Sequence, residues 1–199
     1  MEEPSSLKPL EGRFLRDEPR RTPIMTYSSD PCHWLCDCLK LPKLGHNYIL
    51  CYFRNEAVML GPHWLGVIVI TTIIIGGTIC LNISSPWGKS DPFYHISIVL
   101  GIFCFGTLWL MALSDPGIVT NDAEDKTRAR MCAVCDLMVP NTSYHCRDCA
   151  VCIEEWDHHC VWMGKCVGKK NIVYFKLFNF SWLIFLLFLA VHSILSLLL

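Results

Sequence analysis

Between residues 132 and 166 the chain repeats one spacing of cysteine and histidine, and this repeat limits what the segment can fold into. Cys132, Cys135, His145 and Cys152 read C-x2-C-x9-H-x6-C, and Cys146, Cys149, His159 and Cys166 read the same, displaced by fourteen residues. Each quartet offers three thiolates and one imidazole, the set that closes a tetrahedral structural zinc at about 2.3 Å to sulfur and about 2.0–2.1 Å to nitrogen. Every gap recurs and no ligand is shared, so the spacing predicts two structural Zn2+ ions. A reducing cytosol disfavours disulfides at this density of thiols. The histidine in each quartet argues against an iron–sulfur cluster.

Seven of the thirteen cysteines and three histidines lie in this stretch, and the two quartets use six and two of them. Cys160 and His158 are left over. Cys160 stands fourteen residues after Cys146, but Met163 occupies the place of its C-x2-C partner. An unligated thiol can be a relic of duplication. Here Asp157 and His158 precede it, so a carboxylate, an imidazole and a thiol fall within four residues. These are the parts of an activated nucleophile: His158 as base for Cys160, with Asp157 orienting the imidazole. Whether Asp157 reaches His158 depends on the turn that the metal ligands build.

Apolar residues make up 52% of the 199 and are concentrated in blocks. Residues 64–83 carry no charge for twenty positions, the length an α-helix needs to cross about 30 Å of hydrocarbon. Residues 84–92 form a loop with two prolines, 93–113 a second apolar span, and 173–199 a third. Lys176 and Asn179 interrupt the third near its start, where a lysine can reach the interface. Lys and Arg number eight before the first span, one in the loop and seven in residues 114–172. The positive-inside rule therefore puts residues 1–63 and the cysteine-rich domain, 114–172, on the cytosolic side. The expected fold is an α-helical polytopic membrane protein: three transmembrane helices, with a small cytosolic zinc-bound cysteine-rich domain between the second and third. Residues 1 to about 30 read as a flexible cytosolic tail without a signal sequence. The chain stops inside the run Leu197-Leu198-Leu199, which reads as a truncation.

At Asp157-His158-His159-Cys160 the sequence spells DHHC, and the cysteine spacing from Cys132 to Cys166 resembles the cysteine-rich domain of the DHHC protein S-acyltransferases. Asp115-Pro116-Gly117 looks like that family's DPG motif, and Asn171 with Phe175 keeps an N-x3-F spacing. The resemblance implies a palmitoyltransferase in which Cys160 takes a long-chain acyl group from acyl-CoA, palmitoyl-CoA as co-substrate, and passes it to protein thiols. His158 and Asp157 would assist, and both zinc ions would be structural. Val161 stands where the family often has proline, and neither a fourth helix nor a TTxE motif follows.

The expected partners are protein substrates with membrane-proximal cysteines, long-chain acyl-CoA and the lipid bilayer. A formal net charge of -1 without a long run of one sign excludes nucleic acid as the expected partner. Spans of this length suit thinner endomembranes, Golgi or endoplasmic reticulum, better than a plasma membrane. Lys165, Lys169, Lys170 and Arg147 are the nearest cations for the phosphates of CoA. Phe178, Trp182 and Phe185 are at helical spacing and suit either a lipid tail or packing. Cys32, Cys36 and Cys38, with His33 nearby, match no strong zinc pattern and read as free or lipidated thiols. The competing function is a catalytically silent zinc-stabilised membrane scaffold or ligase-like binding module, which has no need of a partnerless thiol beside His158 and Asp157. A channel is disfavoured because the first two spans lack Asp, Glu, Lys and Arg.

Overall fold

The computed structural model describes residues 41–53, 56–84, 92–120 and 128–198. The tail with Cys32, His33, Cys36 and Cys38, and most of the loop at 84–92, lie outside the described residues. Three helices dominate: α1 (Trp64–Ser84), α2 (Pro92–Leu113) and α3 (Ile172–Leu198). All three are long and apolar enough to cross a membrane, with a mean hydropathy of 2.3. Their outward faces carry Ile68, Ile75, Ile102, Phe180 and Leu187, and their inward faces Val67, Ile74, Leu108, Phe178 and Phe185. A helix on the surface of a water-soluble domain would keep a polar outer face. These are apolar all round.

Apolar surfaces on both sides leave the choice of interface to small residues and hydrogen bonds. Gly101 of α2 lies against Thr78 of α1, where an added Cβ would come within 2.5 Å of the Thr78 hydroxyl. Asn82 donates to Ser97 across the same pair of helices at 2.9 Å. The hydroxyls of Thr107 and Ser181 join α2 to α3 at 2.7 Å. Phe178 and Phe185 are buried in this core with Trp182 packed against it, so the aromatic row serves helix packing.

Between α2 and α3 the cysteine-rich segment folds as three antiparallel hairpins: β4 (Arg128–Cys132) with β5 (Leu137–Pro140), β6 (Tyr144–Cys146) with β7 (Val151–Ile153), and β8 (His158–Cys160) with β9 (Lys165–Val167). Their registers advance in steps of fourteen. Cys132 faces Leu137, Cys146 faces Val151, and Cys160 faces Lys165. The backbone turns left-handed at Asp136, Ala150 and Gly164, with φ of 50°, 54° and 78°. Each of these follows the second position of a knuckle, after Cys135, Cys149 and Met163 respectively. Only the last is glycine, and alanine has no local reason to adopt that conformation, so the knuckle geometry imposes it. The sequence shows two quartets; the backbone shows three repeats.

Residues 1–63 were expected to run as a tail and juxtamembrane segment, but part of this stretch forms a sheet: β1 (Lys43–Leu44), β2 (Asn47–Phe53) and β3 (Glu56–Leu60). The sheet forms where it docks on the second knuckle. His46 N donates to Cys149 O at 2.9 Å, and an added Cβ on Gly45, which has φ +60°, would lie 2.3 Å from that same oxygen. A strand stabilised by a distant carbonyl leaves no periodic signal in its own residues.

The third knuckle is covered by the start of α1. His63 N donates to Gly164 O at 3.1 Å, and Cβ atoms added at Gly61 and Gly66 would each lie 2.1 Å from a knuckle carbonyl, of Gly164 and Val161. Met163 is buried with Val67, Leu108, Met111 and Phe178. Sequence, turn and helix packing thus meet at one backbone-to-backbone contact. Gly61→Ala should lower stability by about 1–3 kcal/mol, because rigid backbone must move to admit the methyl. Thermal unfolding of the purified protein checks this, and Gly76→Ala, whose Cβ meets nothing within 4 Å, serves as the silent control.

Candidate metal centres and nucleophile

The hairpins bring together both predicted quartets. In each, the four donor atoms lie within 4.8 Å of one another. The first joins the β4–β5 knuckle, Cys132 and Cys135, to His145 and Cys152, which face each other across β6 and β7. The second joins the β6–β7 knuckle, Cys146 and Cys149, to His159 and Cys166, which face each other across β8 and β9. Each centre therefore ties one knuckle to the hairpin after it.

The spacing of the donors fits a tetrahedral cation. Cys135 Sγ lies 3.7 Å from Cys152 Sγ, and Cys149 Sγ lies 3.7 Å from Cys166 Sγ. A tetrahedron with metal–sulfur bonds of about 2.3 Å has sulfur–sulfur edges of roughly 3.8 Å, whereas a disulfide would close to about 2.05 Å. His159 Nδ1 is 3.5 Å from each of the Cys146, Cys149 and Cys166 sulfurs, so Nδ1 faces the centre. In the first quartet His145 Nδ1 does the same, 3.2 Å from Cys135 Sγ.

Crowding alone would leave these thiols badly matched. Hydrogen bonds from Cys149 and Cys166 hold the Cys146 thiol far below its ordinary range, while the same contact with Cys146 pushes Cys149 up. Cys166 is pushed up to about 12 by Cys146, and burial raises Cys152. One thiolate discourages the next. A divalent cation removes the conflict, since it binds the deprotonated form of every donor. Both quartets are metal-binding sites suited to structural zinc.

Cys160 heads the third knuckle, which is followed among the described residues by a helix and not by another hairpin. Ile172 begins α3 soon after β9, and the thiol lies half-buried against the cluster formed by the three helices. His158 and Cys160 are two apart on β8, so they project to one face of the strand while His159 projects to the other, toward the metal centre. The contact that spacing left open is made: His158 Nδ1 lies 3.2 Å from Asp157 Oδ2. Phe175 packs edge-on against the His158 ring at 5.2 Å and belongs to the cluster around Cys160. An open cleft beside Asp157 is lined by Trp156, Lys169, Ile172 and Lys176.

The motifs flanking this hairpin act as braces. Asp115 Oδ1 accepts from the amides of Gly117 and Ile118, and its Oδ2 meets Lys170 at 2.8 Å. Asn171 is fully buried and accepts from Gly168 N while donating to Cys166 O. Lys170 also reaches Glu56, and Lys169 pairs with Glu154. Lys165 corrects an expectation. It was a candidate for the phosphates of CoA, yet its side chain is 0% exposed and its ammonium donates to Met59 O at 2.6 Å and Ser114 O at 2.8 Å. Burial pushes it down to about 7 against the pull of Asp115. It clamps β3 and the end of α2 to the strand opposite Cys160, and cannot meet a phosphate. His63 was not singled out from the sequence; its Nδ1 lies 2.9 Å from His159 Nε2.

Comparison with known proteins agrees with this geometry. Residues 125–198 match the family model described as DHHC palmitoyltransferase. The chain is 35% identical to palmitoyltransferase swf1 of Schizosaccharomyces pombe over 76% of this chain and 43% of that one. It is 26% identical to probable protein S-acyltransferase 2 of Arabidopsis thaliana over 77% of this chain and 47% of that one. With palmitoyltransferase ZDHHC5 of Rattus norvegicus it shares 29% identity over 56% of this chain and 18% of that one. The chain thus spans less than half the length of these relatives. Residues 125–198 thus form a DHHC palmitoyltransferase domain by similarity, and within it lie the two Cys3His centres and the Asp157–His158 pair next to Cys160.

Proposed function

We propose that the chain is a protein-cysteine S-acyltransferase that works through a thioester on Cys160. The observation that carries this reading is the third knuckle, which holds a thiol and no metal partner, at the point where the cysteine-rich hairpins meet the apolar helices. His158 donates its Nδ1–H to Asp157, which leaves Nε2 to accept a proton. His158 takes the thiol proton, and the Cys160 thiolate attacks the carbonyl carbon of a long-chain acyl-CoA such as palmitoyl-CoA. The tetrahedral adduct collapses, the CoA thiolate departs with the proton returned by His158, and acyl-Cys160 remains. A thiol on a protein substrate then attacks that thioester, and Cys160 is released with its proton. The half-buried setting against apolar helices suits a substrate whose reactive carbonyl joins a polar head to a long tail.

Cys132, Cys135, His145 and Cys152 hold one zinc in this reading, and Cys146, Cys149, His159 and Cys166 the other. The metals fix the knuckles and take no part in the steps. The three helices span an endomembrane, and residues 1–63 and 114–172 face the cytosol with Cys160 near the membrane surface. Substrate proteins are those with cysteines held at that same depth.

Elemental analysis of purified protein should give two zinc ions per chain. Cys132→Ser should cost zinc and protein yield, while Cys160→Ser should leave the metal content at two. A wild-type stoichiometry near one contradicts the ligand sets. For the chemistry, a clickable fatty acyl-CoA analogue should label the protein without added substrate, and hydroxylamine should remove the label. Labelling should vanish in Cys160→Ser, drop by about 10²- to 10⁴-fold in His158→Ala, and fall less in Asp157→Ala. Label that persists in zinc-replete Cys160→Ser protein defeats the enzyme reading in favour of a zinc-stabilised scaffold.

A further inference from the structure

We propose that His63, at the N-terminal turn of α1, is a positioning residue for the second metal centre: it accepts the Nε2–H of His159 and so ties the first helix to the strand that carries Cys160. The inference rests on the two-metal reading above. His159 turns Nδ1 toward three sulfurs, each at 3.5 Å, so Nδ1 is the atom that ligates. A neutral imidazole that ligates through Nδ1 keeps its proton on Nε2. That proton points at His63 Nδ1, 2.9 Å away, with the rings edge-on at 79°. His63 must then hold its own proton on Nε2 and present a lone pair at Nδ1.

The imidazole of His63 has little freedom to do otherwise. Its backbone N donates to Gly164 O, its carbonyl accepts from Gly66 N, and the close approach at Gly61 and Gly66 seats the turn directly on the third knuckle. Metal-bound histidines commonly donate their second N–H to a partner that fixes the ring and raises its basicity. Carboxylates and carbonyls usually fill that role. Here an imidazole from a helix 96 residues earlier fills it. The consequence reaches the nucleophile, because His159 is flanked on β8 by His158 and Cys160. A loosened His159 ring releases the strand on both sides.

The test uses the full chain, zinc-loaded, in detergent or nanodiscs, with zinc transfer to a colorimetric chelator followed in time. His63→Leu removes the acceptor, whereas His63→Asn restores one, because asparagine Oδ1 sits where the histidine Nδ1 does. One of two zincs should leave His63→Leu protein about 10- to 100-fold faster than in wild type, with the other unchanged. His63→Asn should recover most of that retention and, with it, acylation of Cys160. In wild-type protein with 15N-labelled histidine, a coupling across the hydrogen bond should join His159 Nε2 to His63 Nδ1, which requires no variant to fold. Absence of that coupling, wild-type release of both zincs from His63→Leu, or His63→Asn behaving as His63→Leu overturns the proposal. Fewer than two zincs in wild type instead defeats the underlying metal assignment.

Discussion

Six thiols and two imidazoles are packed into a segment whose buried clusters consist largely of those same cysteines, and a cation at each quartet would make that packing favourable. Without one, thiols this close oppose each other's ionisation, and contact with Cys146 pushes Cys149 and Cys166 up. With one, each knuckle is joined to the hairpin that follows it. The strands of this segment are only three to five residues long and form three separate two-stranded sheets, so no continuous ladder of backbone bonds holds the segment together. Metal binding in such a segment is part of folding.

A chain of knuckles, each joined to the next, always leaves the last one open. This accounts for Cys160 structurally: it is the first position of a third knuckle that is followed, among the described residues, by α3 and not by a fourth hairpin. Helices take the place of the missing metal partner. Met163 is buried in the helical core, Gly61 and Gly66 admit the N-terminal turn of α1, and Lys165 ties the facing strand to β3 and α2. The thiol lies half-buried against this frame and outside both metal quartets. A side chain on short strands braced by helices is held more precisely than one on a loop.

The same arrangement joins two environments. Three helices that expose isoleucine, leucine and phenylalanine outward are long and apolar enough to cross a membrane, and the hairpins beside them are rich in charge and ligating groups. Asp115, Lys170, Glu56 and Asn171 lie at this junction and bond to one another or to nearby backbone, so the seam is braced by polar contacts. Polar groups partly withdrawn from water must find partners. The DPG and N-x3-F motifs are thus best understood as seam residues rather than reacting groups.

Much of this was legible in the residues themselves. Metal ligation demands fixed donor types at fixed spacings, so both quartets could be read directly, and so could the leftover Cys160 with His158. Helices that meet lipid carry a length and an apolarity that need no partner to be seen. Tertiary structure alone decided what depended on distant backbone. The β1–β3 sheet docks on the second knuckle through His46 N and Cys149 O, a contact that no periodicity in residues 43–60 reveals. Lys165 looked like a surface cation until its burial between Met59 O and Ser114 O removed it from any phosphate. His63 lies outside every motif, since its role is set by where α1 begins relative to the third knuckle. Spacing along the chain encodes ligands that share a metal, whereas contacts between elements far apart in sequence are fixed only once the chain has folded around them.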